Sequence, residues 1–195
     1  VHGGFNNNAK VKIKWINSEK LCKEDILKEL SKVQGILVPG GFGERGIKGK
    51  IVSIKFAREN NIPFFGICFG MQLAVIEIAR NVLNLTDANS TEFNNTNNPV
   101  VGLMTEWTQN NVKVKRTPNS DKGGTMRLGS YPCNILEESL IKEIYGSSKI
   151  FERHRHRYEV NTKYLELFKE KGFVYSGMSP DNLLPEILES KNHSW

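Results

Sequence analysis

A cysteine between two glycines is the first candidate for chemistry in this sequence. The stretch from Phe64 to Ala74 reads FFGICFGMQLA, in which Gly66, Cys68 and Gly70 form the pattern G-x-C-x-G. The pattern falls where an apolar strand is followed by an amphipathic helix, and flanking glycines permit the strained turn known as a nucleophile elbow. The free N–H groups and the dipole at the start of that helix would stabilise a thiolate. We therefore interpret Cys68 as a nucleophile rather than as a buried structural cysteine.

A glycine loop, VPGGFGERG, precedes this region and offers exposed backbone N–H groups. Gly41, Gly43 and Gly46 match G-x-G-x-x-G, the spacing of dinucleotide-binding loops. Such a site also needs an acidic residue at the end of the next strand, and that strand ends instead at Cys68, so nucleotide binding is disfavoured. Parallel strands that end near each other would bring the Gly41 N–H beside Cys68. Together with the N–H of Phe69, it could stabilise a developing oxyanion.

The densest charge cluster is RHRHRYE, Arg153 to Glu159. On a strand, its arginines and Glu159 would lie on one face, and its two histidines and Tyr158 on the other. A solvated edge strand is one interpretation, and a metal site is another, although two histidines at this spacing lack a third ligand nearby. Binding of a carboxylate by an arginine is the interpretation that we favour, because the guanidinium fork can hold two oxygens.

The amino-acid composition is typical of a globular protein. The chain has 195 residues and a net charge of +6, but its basic residues are scattered among acidic ones, which disfavours a nucleic-acid partner. No apolar run approaches the ~18 residues that a membrane span needs. The three cysteines form no C-x-x-C pair, and their odd number argues against a disulfide framework. We therefore expect a reducing, cytoplasmic compartment.

The order of apolar and helical patterns predicts β-α-β units and one α/β domain over residues 1–195. The predicted strands are Val11–Ile16, Gly35–Gly40 and Ile62–Ile67, with weaker candidates at Val100–Met104, Val112–Lys115, Tyr158–Val160 and Glu186–Leu188. The predicted helices are Glu24–Leu30, Ile51–Asn60 and a segment whose apolar stripe runs from Met71 to Leu85.

Five motifs resemble those of a known family: PGGFG, GICFGMQ, STEF, GGTMRLG and RHRHRYEV, in this order. Together they resemble the glutaminase domain of CTP synthase, a class I glutamine amidotransferase, over essentially the whole chain. G-x-C-x-G alone would fit any class I amidotransferase, whereas GGTMRLG and RHRHRYE narrow the resemblance to the CTP synthase group. It implies a three-layer, flavodoxin-like α/β fold with a mostly parallel central sheet. It further implies that the chain is a fragment without the first strand, the C-terminal segment and the synthetase domain of the family.

The resemblance also implies a reaction. In the family, the elbow cysteine attacks L-glutamine, and a glutamyl thioester and ammonia form before water releases glutamate. Cys68 would be the nucleophile, with Gly41 and Phe69 supplying the oxyanion N–H groups. The implied glutamine-binding residues are Gly40, Phe42, Gln72, Glu92 and Arg157.

The implied partners lie outside this domain. Ammonia would pass to the synthetase domain, where ATP with Mg²⁺ activates UTP for conversion to CTP. GTP would act as an activator, and the full-length protein would be a homotetramer. The glutaminase domain itself is expected to need neither a cofactor nor a metal.

Two departures from the family pattern affect these expectations. Phe69 stands where the family usually has Leu, which should change packing but not the backbone N–H. The family's general base and its partner belong to an FHPEF-like segment beyond the motif that Asn192–Trp195 resembles, and the resemblance assigns this role to none of His154, His156 and His193. We therefore expect weak or no glutamine turnover by these residues alone. Two alternatives remain open at this point, a stand-alone γ-glutamyl hydrolase or peptidase and a catalytically incompetent binding module.

Overall fold

Short helices and strands alternate through most of the chain. The computed structural model describes residues 1–22, 24–103, 106–109, 112–115, 126–193 and 195. Its helices are α1 (His2–Asn6), α2 (Ile26–Leu30), α3 (Ile47–Glu59), α4 (Phe69–Asn81), α5 (Leu140–Tyr145) and α6 (Leu165–Glu170). Its strands are β1 (Ile36–Val38), β2 (Phe64–Gly66), β3 (Asn89–Ser90), β4 (Pro99–Leu103), β5 (Glu106–Gln109), β6 (Val112–Lys115), β7 (Arg127–Ile135), β8 (Lys149–His156), β9 (Tyr158–Val160), β10 (Phe173–Met178) and β11 (Pro185–Ser190).

The unit β1–α3–β2–α4 positions the predicted elbow. β1 and β2 pair in parallel through the crossover helix α3, as a β-α-β pattern predicts. α4 is apolar nearly all round, and Leu73, Val75 and Ile76 are fully buried at the centre of the main core. Its one buried charge is Glu77, which accepts hydrogen bonds of 3.0 Å and 2.8 Å from the Arg58 guanidinium of α3. α4 is thus fixed in place by packing and by this ion pair.

The remaining strands pair mostly in antiparallel fashion. One sheet has the order β11-β10-β7-β8, all antiparallel. A second has the order β3-β4-β9, parallel between β3 and β4 and antiparallel between β4 and β9. β5 and β6 form an antiparallel pair. The α/β class is confirmed by the parallel unit β1–α3–β2 and the alternation of helices with strands. In the described residues, the parallel pairs are β1–β2 and β3–β4. The other pairs are antiparallel, as the short connection between β10 and β11 allows.

Most predicted elements are present, with shifted ends. α3 begins at Ile47 rather than Ile51, and α4 ends at Asn81, so that Leu85 at the end of the predicted stripe lies beyond the helix. Met104 lies outside the described residues, as do residues 123–125 of the GGTMRLG motif.

The predicted strand Val11–Ile16 is wrong. These residues form no strand, and Ile13 and Trp15 are 54% and 89% exposed. Alternation alone does not make a strand, because a strand also needs a neighbour to accept its backbone hydrogen bonds. The Lys14 ammonium instead donates a hydrogen bond to the backbone carbonyl of Glu29 in α2 and forms an ion pair with the Glu29 carboxylate.

None of the helices in the described part of the chain has the length and apolar character needed to cross a membrane.

Candidate active site

Cys68 lies between β2 and α4 with a left-handed backbone. Its φ is 54° and its ψ is −102°, and such a conformation costs a non-glycine residue about 1–3 kcal/mol. Both flanking glycines are required by close backbone approach: a Cβ on Gly66 would lie 2.7 Å from the carbonyl carbon of Gly70, and a Cβ on Gly70 would collide with the carbonyl oxygen of Val38. The chain therefore forms the strained turn that the G-x-C-x-G pattern predicts.

The glycine loop passes directly beside this elbow. A Cβ on Gly40 would lie 3.7 Å from the Cys68 Cβ, and a Cβ on Gly41 would lie 3.6 Å from the Phe69 ring. Within the described part of the chain, the N–H groups of Gly41 and Phe69 have no hydrogen-bond acceptor. Two free N–H groups next to a cysteine can stabilise negative charge on a substrate oxygen.

The Phe69 side chain points away from this chemistry into the core. It is 1% exposed, and its ring meets Phe93 edge-on at 5.9 Å, with the Lys50 ammonium 5.1 Å from the ring centroid. The aromatic ring in place of the usual Leu is thus accommodated by packing, while the backbone N–H stays at the elbow.

The other predicted site residues lie on α4, on the glycine loop and on segments that are hydrogen-bonded to these two elements. The Gln72 side-chain amide, on the first turn of α4, donates a 2.7 Å hydrogen bond to the Tyr158 carbonyl. Glu92 accepts a 2.9 Å hydrogen bond from the Gly43 N–H, which ties the STEF segment to the glycine loop. Phe42 on that loop is 55% exposed. Arg157 precedes Tyr158, and its Nε is buried without a hydrogen-bond partner among the described residues.

A histidine that the sequence reasoning set aside lies next to the cysteine. The Nδ1 atom of His156 is 3.8 Å from the Cys68 Sγ atom, and its Nε2 atom is 2.7 Å from a Glu159 carboxylate oxygen. Burial would lower the pKa of His156, but the hydrogen bonds and charges of Cys68 and Glu159 outweigh it and raise the pKa to about 10. His156 was missed because the alternation in RHRHRYE predicts that it and Glu159 lie on opposite faces of one strand. The strand is in fact interrupted at Arg157, between β8 and β9, and the interruption turns both side chains toward the elbow.

Buried charges continue from Glu159 into the sheet. The Arg127 guanidinium is 2% exposed, lies 3.6 Å from Glu159 and forms a 2.6 Å ion pair with Glu186. Glu186 also lies 3.2 Å from His154 Nε2. Burial would raise the pKa of Glu186, but the hydrogen bond of His154 and the charge of Arg127 outweigh it and hold the pKa below its usual value. Arg127 belongs to the GGTMRLG motif, so this motif supports the segment that carries His156.

A cavity of about 440 Å³ opens between β2, β8 and β11, and Cys68 and His156 line it. The glycine loop and the predicted glutamine-binding residues Gln72, Glu92 and Arg157 lie outside its lining. In the described residues, no cluster of three or more His, Cys, Asp or Glu side chains is placed to hold a metal ion.

Comparison with known proteins identifies the family. The family model "Glutamine amidotransferase class-I" matches residues 1–195. The chain is 57% identical over 194 residues to CTP synthase of Agrobacterium fabrum and 54% identical over 195 residues to CTP synthase of Maricaulis maris. Each match covers 100% of the chain and 36% of the relative, so the chain spans about a third of the length of these curated relatives.

A solved structure supports the same conclusion. The glutaminase domain of Trypanosoma brucei CTPS with bound acivicin superposes with a TM-score of 0.86 at 36% identity, covering 100% of this chain and 73% of that one. The resemblance seen in the five motifs and the amidotransferase fold are both confirmed. The chain belongs to the class I glutamine amidotransferase family, on the branch formed by the glutaminase domains of CTP synthases.

Proposed function

We propose that this chain hydrolyses L-glutamine through a thioester on Cys68. The observation that carries the proposal is the elbow: a cysteine at φ 54°, at the start of a buried helix, beside two N–H groups that lack acceptors among the described residues. The thiolate attacks the carboxamide carbon, and the N–H groups of Gly41 and Phe69 hold the oxyanion. The nitrogen takes up the proton that the thiol lost, the C–N bond breaks to release ammonia, and water hydrolyses the thioester to glutamate and the free Cys68 thiol.

The residues around the elbow suit the two charged ends of an amino acid. Arg157 offers a buried Nε atom without a partner among the described residues, which fits a substrate carboxylate. Glu92 lies on the glycine-loop side and can pair with the substrate ammonium. We assign the positioning of the side chain of glutamine to Gln72, Gly40 and Phe42.

The role of the whole protein is proposed from its relatives, which are named CTP synthase and are about three times as long as the chain. Ammonia from Cys68 would pass to a synthetase domain that uses ATP and Mg²⁺ to convert UTP to CTP. GTP would activate the reaction, and the protein would be a cytoplasmic homotetramer. Residues 1–195 would form one domain that needs no cofactor of its own and binds no nucleic acid.

We also propose that these 195 residues alone turn glutamine over weakly, because the resemblance assigns the general base to a different segment. Glutamate release by the chain should then be far below the ~10 s⁻¹ typical of enzymes. Fusion of the chain to the residues that follow this region in the Agrobacterium fabrum relative should raise the rate. Equal rates in the two proteins would contradict this part of the proposal.

Covalent labelling tests the site itself. The protein is incubated with a diazo-ketone analogue of glutamine, and the modified residue is found by intact mass and peptide mapping. We expect one adduct, on Cys68, that excess L-glutamine prevents and that Cys68→Ser abolishes. Cys22→Ser is the matched control, since Cys22 is the exposed thiol and should leave labelling unchanged. If iodoacetamide reaches Cys68 but the analogue does not, the chain has a reactive thiol without a glutamine site and the proposal fails.

A further inference from the structure

The glycine loop carries one of the two proposed oxyanion N–H groups, but its backbone is held at few points. At the start of the loop, the Val38 carbonyl accepts a 2.9 Å hydrogen bond from the Ile67 N–H. Within the described part of the chain, the backbone groups of residues 39–43 make a single hydrogen bond, from the Gly43 N–H to Glu92 at 2.9 Å. The Glu92 carboxylate is therefore the hydrogen-bonding anchor of the segment that includes Gly41.

Neither sterics nor packing fixes Gly43 in its observed position. Its backbone is left-handed, with φ at 72°, and a Cβ built on it would meet no atom within 4 Å. Glycine adopts left-handed and right-handed conformations about equally readily. The conformation of Gly43 is thus set by the hydrogen bond of its N–H group, and Gly41 lies only two residues before it.

The STEF segment, which supplies Glu92, is itself firmly connected. The Thr91 N–H donates a 3.1 Å hydrogen bond to a carbonyl of β4, and the Glu92 N–H donates one of 3.1 Å to the Ser90 hydroxyl. Phe93 packs edge-on against the Phe69 ring of the elbow. The position of the Glu92 carboxylate is therefore set by β4 and the elbow, and the loop is held in turn by this carboxylate.

The carboxylate of Glu92 also has an oxygen to offer to a substrate. Oε1 accepts the hydrogen bond from Gly43, while Oε2 has no hydrogen-bond partner among the described residues. A carboxylate can accept several hydrogen bonds, so Oε2 can take the substrate ammonium while Oε1 still holds the loop. One side chain can thus serve both the glycine loop and the substrate.

We propose that Glu92 is a positioning residue of the oxyanion site: its hydrogen bond to Gly43 orients the Gly41 N–H toward the substrate oxygen. This role is additional to the pairing of Glu92 with the substrate ammonium, and it rests on the proposed function, in which Cys68 attacks glutamine. Loss of the loop hydrogen bond slows the attack, because an oxyanion donor is misplaced. Loss of the charge weakens glutamine binding instead.

Two conservative substitutions separate these roles. Glu92→Gln keeps an acceptor oxygen within reach of the Gly43 N–H but removes the charge, whereas Glu92→Asp keeps the charge on a side chain one methylene too short to reach it. Labelling of Cys68 by the diazo-ketone analogue is measured over a range of concentrations, which gives a limiting rate and a half-saturating concentration. The ketone oxygen of the analogue stands in for the carboxamide oxygen, so the limiting rate reports on the oxyanion N–H groups.

The two variants should affect different parameters. We expect Glu92→Gln to raise the half-saturating concentration about tenfold or more, because a charge-assisted contact is lost, with a limiting rate close to that of the wild type. Glu92→Asp should lower the limiting rate about tenfold to hundredfold. An unchanged limiting rate in Glu92→Asp, or equal limiting rates in the two variants, would overturn the proposal.

Iodoacetamide distinguishes a misplaced oxyanion donor from a damaged elbow. Its reaction with the thiol is a displacement at carbon and forms no oxyanion, so its rate at Cys68 should stay at the wild-type value in both variants. An equal fall with both reagents in Glu92→Asp would mean that the elbow itself is disturbed and would refute the positioning role. Cys133 is buried and stays unlabelled while the fold is intact. If Cys133 becomes labelled in Glu92→Asp, the decision passes to Glu92→Ala, whose limiting rate must fall by a similar factor for the role to stand.

Glu44→Gln is the matched control. Glu44 follows Gly43 on the same loop, and its side chain is exposed. Loss of its charge should leave both labelling parameters at their wild-type values. A limiting rate as low as that of Glu92→Asp would show that the loop responds to any substitution near it, and the specific role of Glu92 would be refuted.

The amide resonances of the glycine loop separate this inference from the proposed function. In protein labelled with nitrogen-15 glycine, the Gly43 amide-proton resonance should move upfield in Glu92→Asp and much less in Glu92→Gln, and the Gly41 resonance should move with it. A Gly41 resonance that stays in place in Glu92→Asp would refute the positioning role while leaving glutamine binding intact. Movement of both resonances in a protein whose Cys68 forms no adduct with the analogue would refute the glutamine site while supporting the anchoring of the loop by Glu92.

Discussion

Replacement of Gly66 by Ala is the most direct test of the elbow. The added Cβ would lie 2.7 Å from the Gly70 carbonyl carbon and 2.8 Å from both the Gly70 oxygen and the Met71 nitrogen. Carbon contacts normally lie at about 3.5–4.0 Å, so three backbone atoms would have to move by roughly 1 Å. Overpacking of this kind costs about 1–3 kcal/mol, which at a slope of about 2 kcal/mol per M lowers the urea midpoint by about 0.5–1.5 M. A displacement of Cys68 by about 1 Å should slow labelling by the glutamine analogue about 100-fold.

Gly35→Ala is the matched control for this substitution. Gly35 precedes β1, and a Cβ there would meet its nearest neighbour, the Pro63 oxygen, at an ordinary 3.6 Å. We expect its urea midpoint and its labelling rate to stay close to the wild-type values. If Gly66→Ala behaves like Gly35→Ala in both assays, close approach of the backbone is not what the glycine provides and the steric reasoning is refuted.

Three further predictions concern charged groups. Arg58→Ala leaves the fully buried Glu77 without its guanidinium partner and should destabilise the protein by about 3–5 kcal/mol in urea unfolding; a change below 1 kcal/mol would contradict the importance of this pair. Arg157→Lys should reduce labelling by the glutamine analogue at least tenfold with unchanged iodoacetamide labelling of Cys68, because Lys cannot form a two-pronged contact with a carboxylate; equal loss with both reagents would argue against substrate binding. The raised pKa of His156, about 10 in the folded state against roughly 6.5 when unfolded, means that its stabilising contribution is complete below about pH 6.5 and is lost as the pH rises through 10. The stability lost in His156→Gln should therefore be larger at pH 6 than at pH 10, and a loss that grows with pH would contradict the assigned contacts.

Parts of the fold with a local cause could be predicted from the sequence. β1, α3, β2 and α4 were predicted because apolar periodicity and turn residues act over a few neighbours along the chain. The elbow belongs to the same class, since the need for Gly66 and Gly70 follows from close backbone approach in one turn. The strand predicted at Val11–Ile16 failed because the sequence shows a side-chain pattern but not whether a second strand is available to pair with it.

Within the site, the elbow at Cys68 and the neighbouring glycine loop followed from residue types and motif spacing, whereas the choice of Arg157 among the arginines of RHRHRYE came from the resemblance to the family. Neighbouring residues along the chain are enough to place a cysteine on a strained turn before a helix, because that geometry is local. Which histidine lies beside this cysteine depends on contacts between distant strands. The interruption between β8 and β9 rotates His156 and Glu159 toward the same side, and the pairing of these strands with β7 and β4 brings His156 to Cys68 from 88 residues away. Such long-range contacts depend on how the strands assemble, and the local pattern of RHRHRYE does not predict that assembly.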